Sequence, residues 1–265
     1  MNPKPINGLP PRLRSWLLRY ASAIFFISLV IIWELVCRVW SVPVYILPSP
    51  SSIVTAFFDV EFSRWLEHLW ATLRVALMGF VLSIAISIPL AIAMVRSEVM
   101  TRMIYPALVV VQSTPVVAVA PLIIVLMGTG DMSRVLITCL ITFFPLVVSA
   151  TTGMLETPEE LIELSQSLRA PRYRETWQIR IPYAIPHIFS GLKVSITLAI
   201  IGAVVAEFVA AEQGLGYFIQ FSTSFFKIPQ AFAGLIFLAV TSLLLFKSVQ
   251  WIQEWLFPWS LPKKK

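Results

Sequence analysis

The sequence predicts an all-α, polytopic membrane protein with six transmembrane helices, and three observations predict it. Hydrophobic residues make up 58% of the 265-residue chain and charged residues 13%, against roughly half and a quarter in soluble domains. Six apolar stretches, at about 20–40, 75–95, 104–127, 134–153, 188–211 and 231–252, each match the ~20 helical residues that cross ~30 Å of hydrocarbon. Val75 to Val95 and Leu192 to Ala211 are almost continuously apolar, whereas the strands of a membrane barrel alternate in polarity.

Residues 1–40 place a basic stretch before an apolar one, but the run is too long for a secretory signal and no small-residue cleavage site follows. A retained first span is expected. Within it Glu34 and Arg38 stand four apart, the spacing of a mutually neutralising pair on one helix face, with Trp33 and Trp40 as interfacial anchors. Leu47 to Ser52 form a Pro- and Ser-rich turn that hands over to a short external helix, Ile53 to Phe58.

Span 3 carries Gln112, Ser113, Thr114 and Pro115, then Pro121. Backbone groups freed by proline at membrane depth need internal partners or a cavity. Ser113 and Thr114 therefore either line a translocation pathway with Gln112 or satisfy the kink locally, and both readings stand. Thr138, Thr142 and Pro145 in span 4, and Ser195 and Thr197 in span 5, repeat the theme. Thr142 and Ser195 are further pathway candidates, although small hydroxyl residues also serve as packing glue between helices. Glu207 lies near the far end of span 5 with no basic residue at helical spacing, and acidic residues within spans face the bundle interior and are functional candidates. It either touches the transported solute or ties span 5 to a neighbour.

Basic residues near span ends stay preferentially in the cytoplasm. With the N-terminus inside, only Arg38, Arg64, Arg74, Arg134 and Lys227 of the 20 Lys and Arg fall outside, so both termini and the loop at about 156–186 are expected in the cytoplasm. One transmembrane domain would then fill residues 1–265, with cytoplasmic tails at about 1–19 and 253–265. The net charge of +6 follows from this asymmetry and is no argument for nucleic acid.

The 156–186 loop is the one long polar interruption. Thr157, Pro158 and Glu160 read as a cap, a first-turn proline and a capping-box glutamate. Leu161, Leu164, Ser165 and Leu168 recur at three- and four-residue spacing, a narrow apolar stripe beside Glu160 and Glu163. Ala170 and Pro171 would end that helix. Arg172 to Arg180 read as a second helix, after which Pro182 and Pro186 would redirect the chain into span 5.

Several chemistries lack their residues. The sequence has no Gly-x-x-x-x-Gly-Lys-Ser/Thr phosphate loop and no Gly-x-Ser-x-Gly elbow. His68 and His187 have no partner at metal-ligand spacing, and Cys37 and Cys139 lie in different spans, so neither a metal site nor a disulfide is expected.

Glu163, Leu164 and Ser165, then Arg169, then after nine residues Ile179, Arg180, Ile181 and Pro182, resemble the Glu-Ala-Ala loop of permease subunits of binding-protein-dependent ABC importers. Two departures are Leu164 and Ser165 for the alanines and Arg169 for the glycine, so the turn at Arg169 would be built differently or the arginine would contact the partner. Ala206-Glu207 followed by Gly214 to Tyr217 extends the likeness, and the Leu47 to Ser52 turn resembles the nitrate, sulfonate, taurine and pyrimidine-precursor branch. The resemblance implies a type I ABC importer permease in the bacterial inner membrane that forms the translocation pathway for a small solute. It implies a coupling role for Glu160, Glu163, Leu164, Ser165, Leu168, Arg169, Ile179, Ile181 and Pro182. It also implies a homodimer embedded in lipid, cytoplasmic ABC ATPase subunits that use ATP and Mg, and an extracytoplasmic solute-binding protein, with no cofactor on this chain. The competing class, an ion-coupled secondary transporter, predicts relay charges and inverted repeats, of which only Glu207 and the self-paired Glu34 are visible.

Overall fold

The computed structural model describes residues 11–261, with side chains from Tyr20 onward. The expected tails at 1–19 and 253–265, including Lys263 to Lys265, therefore lie partly outside the described residues. Every regular element among the described residues is helical. The chain divides into two compact units.

The smaller unit holds the segment up to Val60 and Ser222 to Ala233. Its helix α1, Pro11–Val39, contains the expected first span. Glu34 pairs with Arg38 at 2.6 Å, and its other oxygen accepts the Ser51 backbone N–H at 3.0 Å. That carboxylate anchors the start of α2, Pro50–Asp59, which Ser49 caps by accepting the Ser52 N–H. Helix α2 is the short helix expected after the Pro-Ser turn.

The larger unit holds Glu61–Phe221 and Gly234–Lys265. In it are α3 (Phe62–Arg96), α4 (Glu98–Ser113), α5 (Val116–Met127), α6 (Asp131–Leu155), α7 (Glu159–Ser167), α8 (Arg172–Glu175), a π turn (Thr176–Arg180) and α9 (Ile181–Ala210). Helix α10 (Leu215–Ser224) and helix α11 (Ile228–Leu256) follow, then a short 3-10 turn, Pro258–Ser260. Helices α3, α6 and α9 pack on one another as the centre of this unit. Close approach is possible because Thr138 faces two glycines. A Cβ on Gly79 would lie 2.5 Å from Thr138 Cγ2, and one on Gly202 would lie 2.9 Å from Thr138 Cα. In lipid, where apolar side chains gain little by leaving tails, such backbone proximity is what holds helices together. Met94, Leu108, Val147, Met154 and Ile188 make one apolar cluster. Ala120, Ile123, Ile137 and Ala206 make another.

Among the described residues, five helices are long and apolar enough to cross a membrane, and α4 with α5 form a sixth hydrophobic segment bent by 94°. The kink-prone third span expected at 104–127 is this broken pair. Thr114 is extended at φ −79°, ψ 122° because it precedes Pro115, whereas Pro121 and Pro106 sit inside helices. Helix α3 starts 13 residues before the apolar stretch at Val75, since its polar first turns bury Trp65, Ala71 and Thr72. Trp65 packs on Phe218 and Phe237, with ring centroids 4.7 and 5.6 Å away.

Candidate docking loop and intramembrane polar residues

Helix α7 is short and presents two unlike faces. Ser165 is buried at 4% exposure, while Leu161, Leu164 and Leu168 are 41%, 57% and 73% exposed. Glu160 and Glu163 are exposed as well. The leucines are thus an apolar edge that the described residues leave uncovered.

Thr157 does not cap this helix. Its hydroxyl turns back and donates to the Met154 carbonyl at 3.0 Å, and α7 begins after Pro158 without a side-chain cap. The end of α6 has carbonyls without intrahelical partners, and they capture the hydroxyl first. The far end of α7 is ordered by Arg169, whose φ is +51°. Its N–H bonds to the Gln166 carbonyl at 2.8 Å and the Ala170 N–H to the Ser165 carbonyl at 2.9 Å. These are the paired bonds of a Schellman ending with Arg169 at the position glycine usually takes. The turn is therefore the one a glycine would make, against the expectation of a different build, and Ala170-Pro171 follow it rather than end the helix.

Beyond the turn, Arg172 to Ala210 run as one long helical segment, so Pro182 and Pro186 do not redirect the chain. The π turn is the physical reason. The Ile181 N–H reaches back five residues to the Thr176 carbonyl, and this widened turn relieves the crowding that proline otherwise imposes on the preceding turn. Ile179, Ile181 and Pro182 are half-buried at this junction.

The widened turn also brings together a brace. Arg180 Nε donates to Glu175 Oε1 at 2.8 Å, and its Nη1 donates to the Met154 carbonyl at 3.2 Å. Arg180 and Glu175 side chains are only 18% and 16% exposed. Arg96, at the end of α3, donates to the Thr176 hydroxyl at 3.2 Å, and His187 meets Glu156 at 3.2 Å. Sequence spacing passed over Arg180 because partners five apart do not face each other on an α-helix. Only the π turn aligns them.

The pathway candidates separate. Gln112, Ser113 and Thr114 are exposed at the α4–α5 break, with Ser113 and Thr114 hydroxyls bonded to the Val109 and Val110 carbonyls at 2.8 and 2.9 Å. Thr142 and Ser195 are fully buried, and Ser195 donates across to the Thr142 carbonyl at 2.9 Å, joining α9 to α6. Glu207, 1% exposed, accepts the Gly216 N–H at 2.7 Å. A Cβ on Gly214 would lie 2.3 Å from its carboxyl carbon, and Gly214 holds φ +127°. The carboxylate therefore nests in a glycine turn that no other residue type fits. His68 and Thr72 on α3 accept the Gly214 and Leu215 N–H groups at 3.2 and 2.8 Å, completing that junction.

The family model described as "Binding-protein-dependent transport system inner membrane component" matches residues 83–260. The chain belongs to that family. The formylaminopyrimidine transport permease ThiX of Halalkalibacterium halodurans is 35% identical over 89% of this chain and 94% of its own. The riboflavin transport system permease RibX of Chloroflexus aurantiacus is 34% identical over 96% and 97%. The taurine transport system permease TauC of Escherichia coli is 27% identical over 87% and 86%. A chain from the inward-facing MetNI methionine ABC transporter shares the fold, with TM-score 0.61 and 18% identity over 69% of this chain and 91% of that one. This permease is a multi-pass inner-membrane transport subunit of an ABC importer, and its ATPase activity resides in a separate subunit. The family implies that ATPase and a solute-binding protein as its partners.

Proposed function

We propose that α7 docks into a cytoplasmic ABC ATPase and that the Arg172–Arg180 segment transmits the ATPase's motion to α6 and α9. The observation that carries this is the uncovered leucine edge on a loop braced from both sides. Leu164 and Leu168 remain more than half exposed, while Arg180 fastens the segment to the end of α6. A floppy loop would absorb displacement; a braced one passes it on. Both termini and this loop lie in the cytoplasm, as the distribution of Lys and Arg favours. Two copies of the chain enclose the pathway, with Gln112, Ser113 and Thr114 at the α4–α5 break as its lining. Thr142, Ser195 and Glu207 act as ties between helices.

The partner ATPase binds ATP and Mg, and nucleotide-driven closure swings the pathway between outward and inward facings. An extracytoplasmic binding protein delivers the solute. Relatives named for formylaminopyrimidine, riboflavin and taurine support a small polar solute, in the range of nitrate, sulfonates, taurine and pyrimidine-like compounds. Strongly exposed apolar side chains such as Val125 and Leu126, at 82% and 84%, face lipid or the second copy.

The test is co-purification. Burying a leucine is worth roughly 1.5–3 kcal/mol, and an aspartate in its place would have to be desolvated as well. Leu164→Asp and Leu168→Asp should each release the ATPase from purified complexes while the permease still inserts in the membrane. Unchanged ATPase recovery would overturn the docking reading.

A further inference from the structure

We propose that a cavity of about 500 Å³ beside Arg74 and Arg134 is a binding station for a small solute that carries an oxyanion group, a carboxylate or sulfonate. This deepens the importer reading and rests on it, because that reading puts this end of α3, α6 and α9 on the outer side. Arg74 comes from α3, Thr129 and Arg134 from the start of α6 and the turn before it, and Ala210 to Gln213 from the segment after α9. All belong to the larger unit.

Two guanidiniums share one carboxylate. Asp131 pairs with Arg74 through Oδ2 and with Arg134 through Oδ1, so both forks are held in place. Each guanidinium carries five donors in a fixed plane, and two carboxylate oxygens cannot fill them. Arg134 Nε is buried and has no acceptor among the described residues. Arg74 keeps 46% of its side chain exposed. Fixed, partly unfilled guanidinium forks are matched to the paired oxygens of carboxylates and related oxyanions.

The walls narrow the class further. Among the described residues that line the cavity none is aromatic, so charged and polar groups dominate what it can recognise. Alanines 71, 210 and 211 leave room, and the volume lies within the range of small-molecule sites. The Glu212 carboxylate, exposed at the rim, repels a dianion and suits a monoanion or a zwitterion whose amine faces it.

The probe is trifluoromethanesulfonate, followed by fluorine NMR on the permease–ATPase complex in nanodiscs. Wild type should broaden the signal saturably, with ethanesulfonate competing and neutral trifluoroethanol unaffected. Arg74→Gln leaves the Asp131–Arg134 pair in place and should weaken binding at least about tenfold, the loss of one charge-assisted pair. Arg74→Lys should keep part of the affinity. Equal broadening in Arg74→Gln, or equal broadening of trifluoroethanol, would overturn the proposal. Because binding is read without ATP, it is separable from the importer reading, whose own failure would be an absence of ATP-driven uptake in wild-type proteoliposomes.

Discussion

Removing the Arg180 guanidinium should loosen the loop locally without unfolding the protein. In Arg180→Gln the carboxylate of Glu175, 16% exposed, loses its ionic partner, and the Met154 carbonyl loses the 3.2 Å bond that joins the loop to α6. A hydrogen bond to a charged group contributes about 1.5–3 kcal/mol, and stranding a nearly buried charge costs several kcal/mol at most sites. Residual exposure and the remaining Thr157 bond to Met154 lower the net to about 2–3 kcal/mol. At 1.4 kcal/mol per tenfold, local opening becomes roughly 30- to 140-fold more frequent. Hydrogen exchange of the amides from Thr176 to Ile181 in the reconstituted complex should accelerate by that factor. Solute transported per ATP hydrolysed should fall while ATPase binding persists, because the docking edge is untouched. Glu175→Gln should give a smaller effect in the same direction. Exchange rates within about threefold of wild type, or an unchanged transport-to-hydrolysis ratio, would refute the brace.

Two further substitutions follow from the backbone. Arg169→Gly replaces a left-handed arginine at φ +51° and should relieve about 1 kcal/mol of strain, with docking retained; thermal melting of the complex in detergent checks this, and a lower melting point would argue against the Schellman turn. Gly214→Ala forces a methyl to within 2.3 Å of the Glu207 carboxyl carbon at φ +127°, and should cost roughly 3 kcal/mol or more. Fluorescence-detected size exclusion should show a loss of monodisperse permease, and wild-type yield would remove the significance given to the glycine nest.

The apolar segments were legible because a bilayer demands their length and composition, and the loop was legible because a polar run cannot lie inside one. The pair Glu34–Arg38 and the helix after Ser49 were legible for a local reason, since their partners sit within a few turns of each other. Thr157 misled because two acceptors compete for one hydroxyl, and the winner, Met154, belongs to the end of the preceding helix.

Amino-acid order alone determined that the chain is helical and membrane-spanning, with a polar loop at one fixed place, since these follow from residue type and spacing over a helical turn or two. Three-dimensional packing decided the rest. The 94° break at Thr114, the brace from Arg180 to Met154, the nest around Glu207 and the shared Asp131 between two arginines each depend on where several backbone segments meet. Hydrogen bonds and ion pairs act over about 3 Å, so residues distant in sequence acquire partners only once the helices are in place.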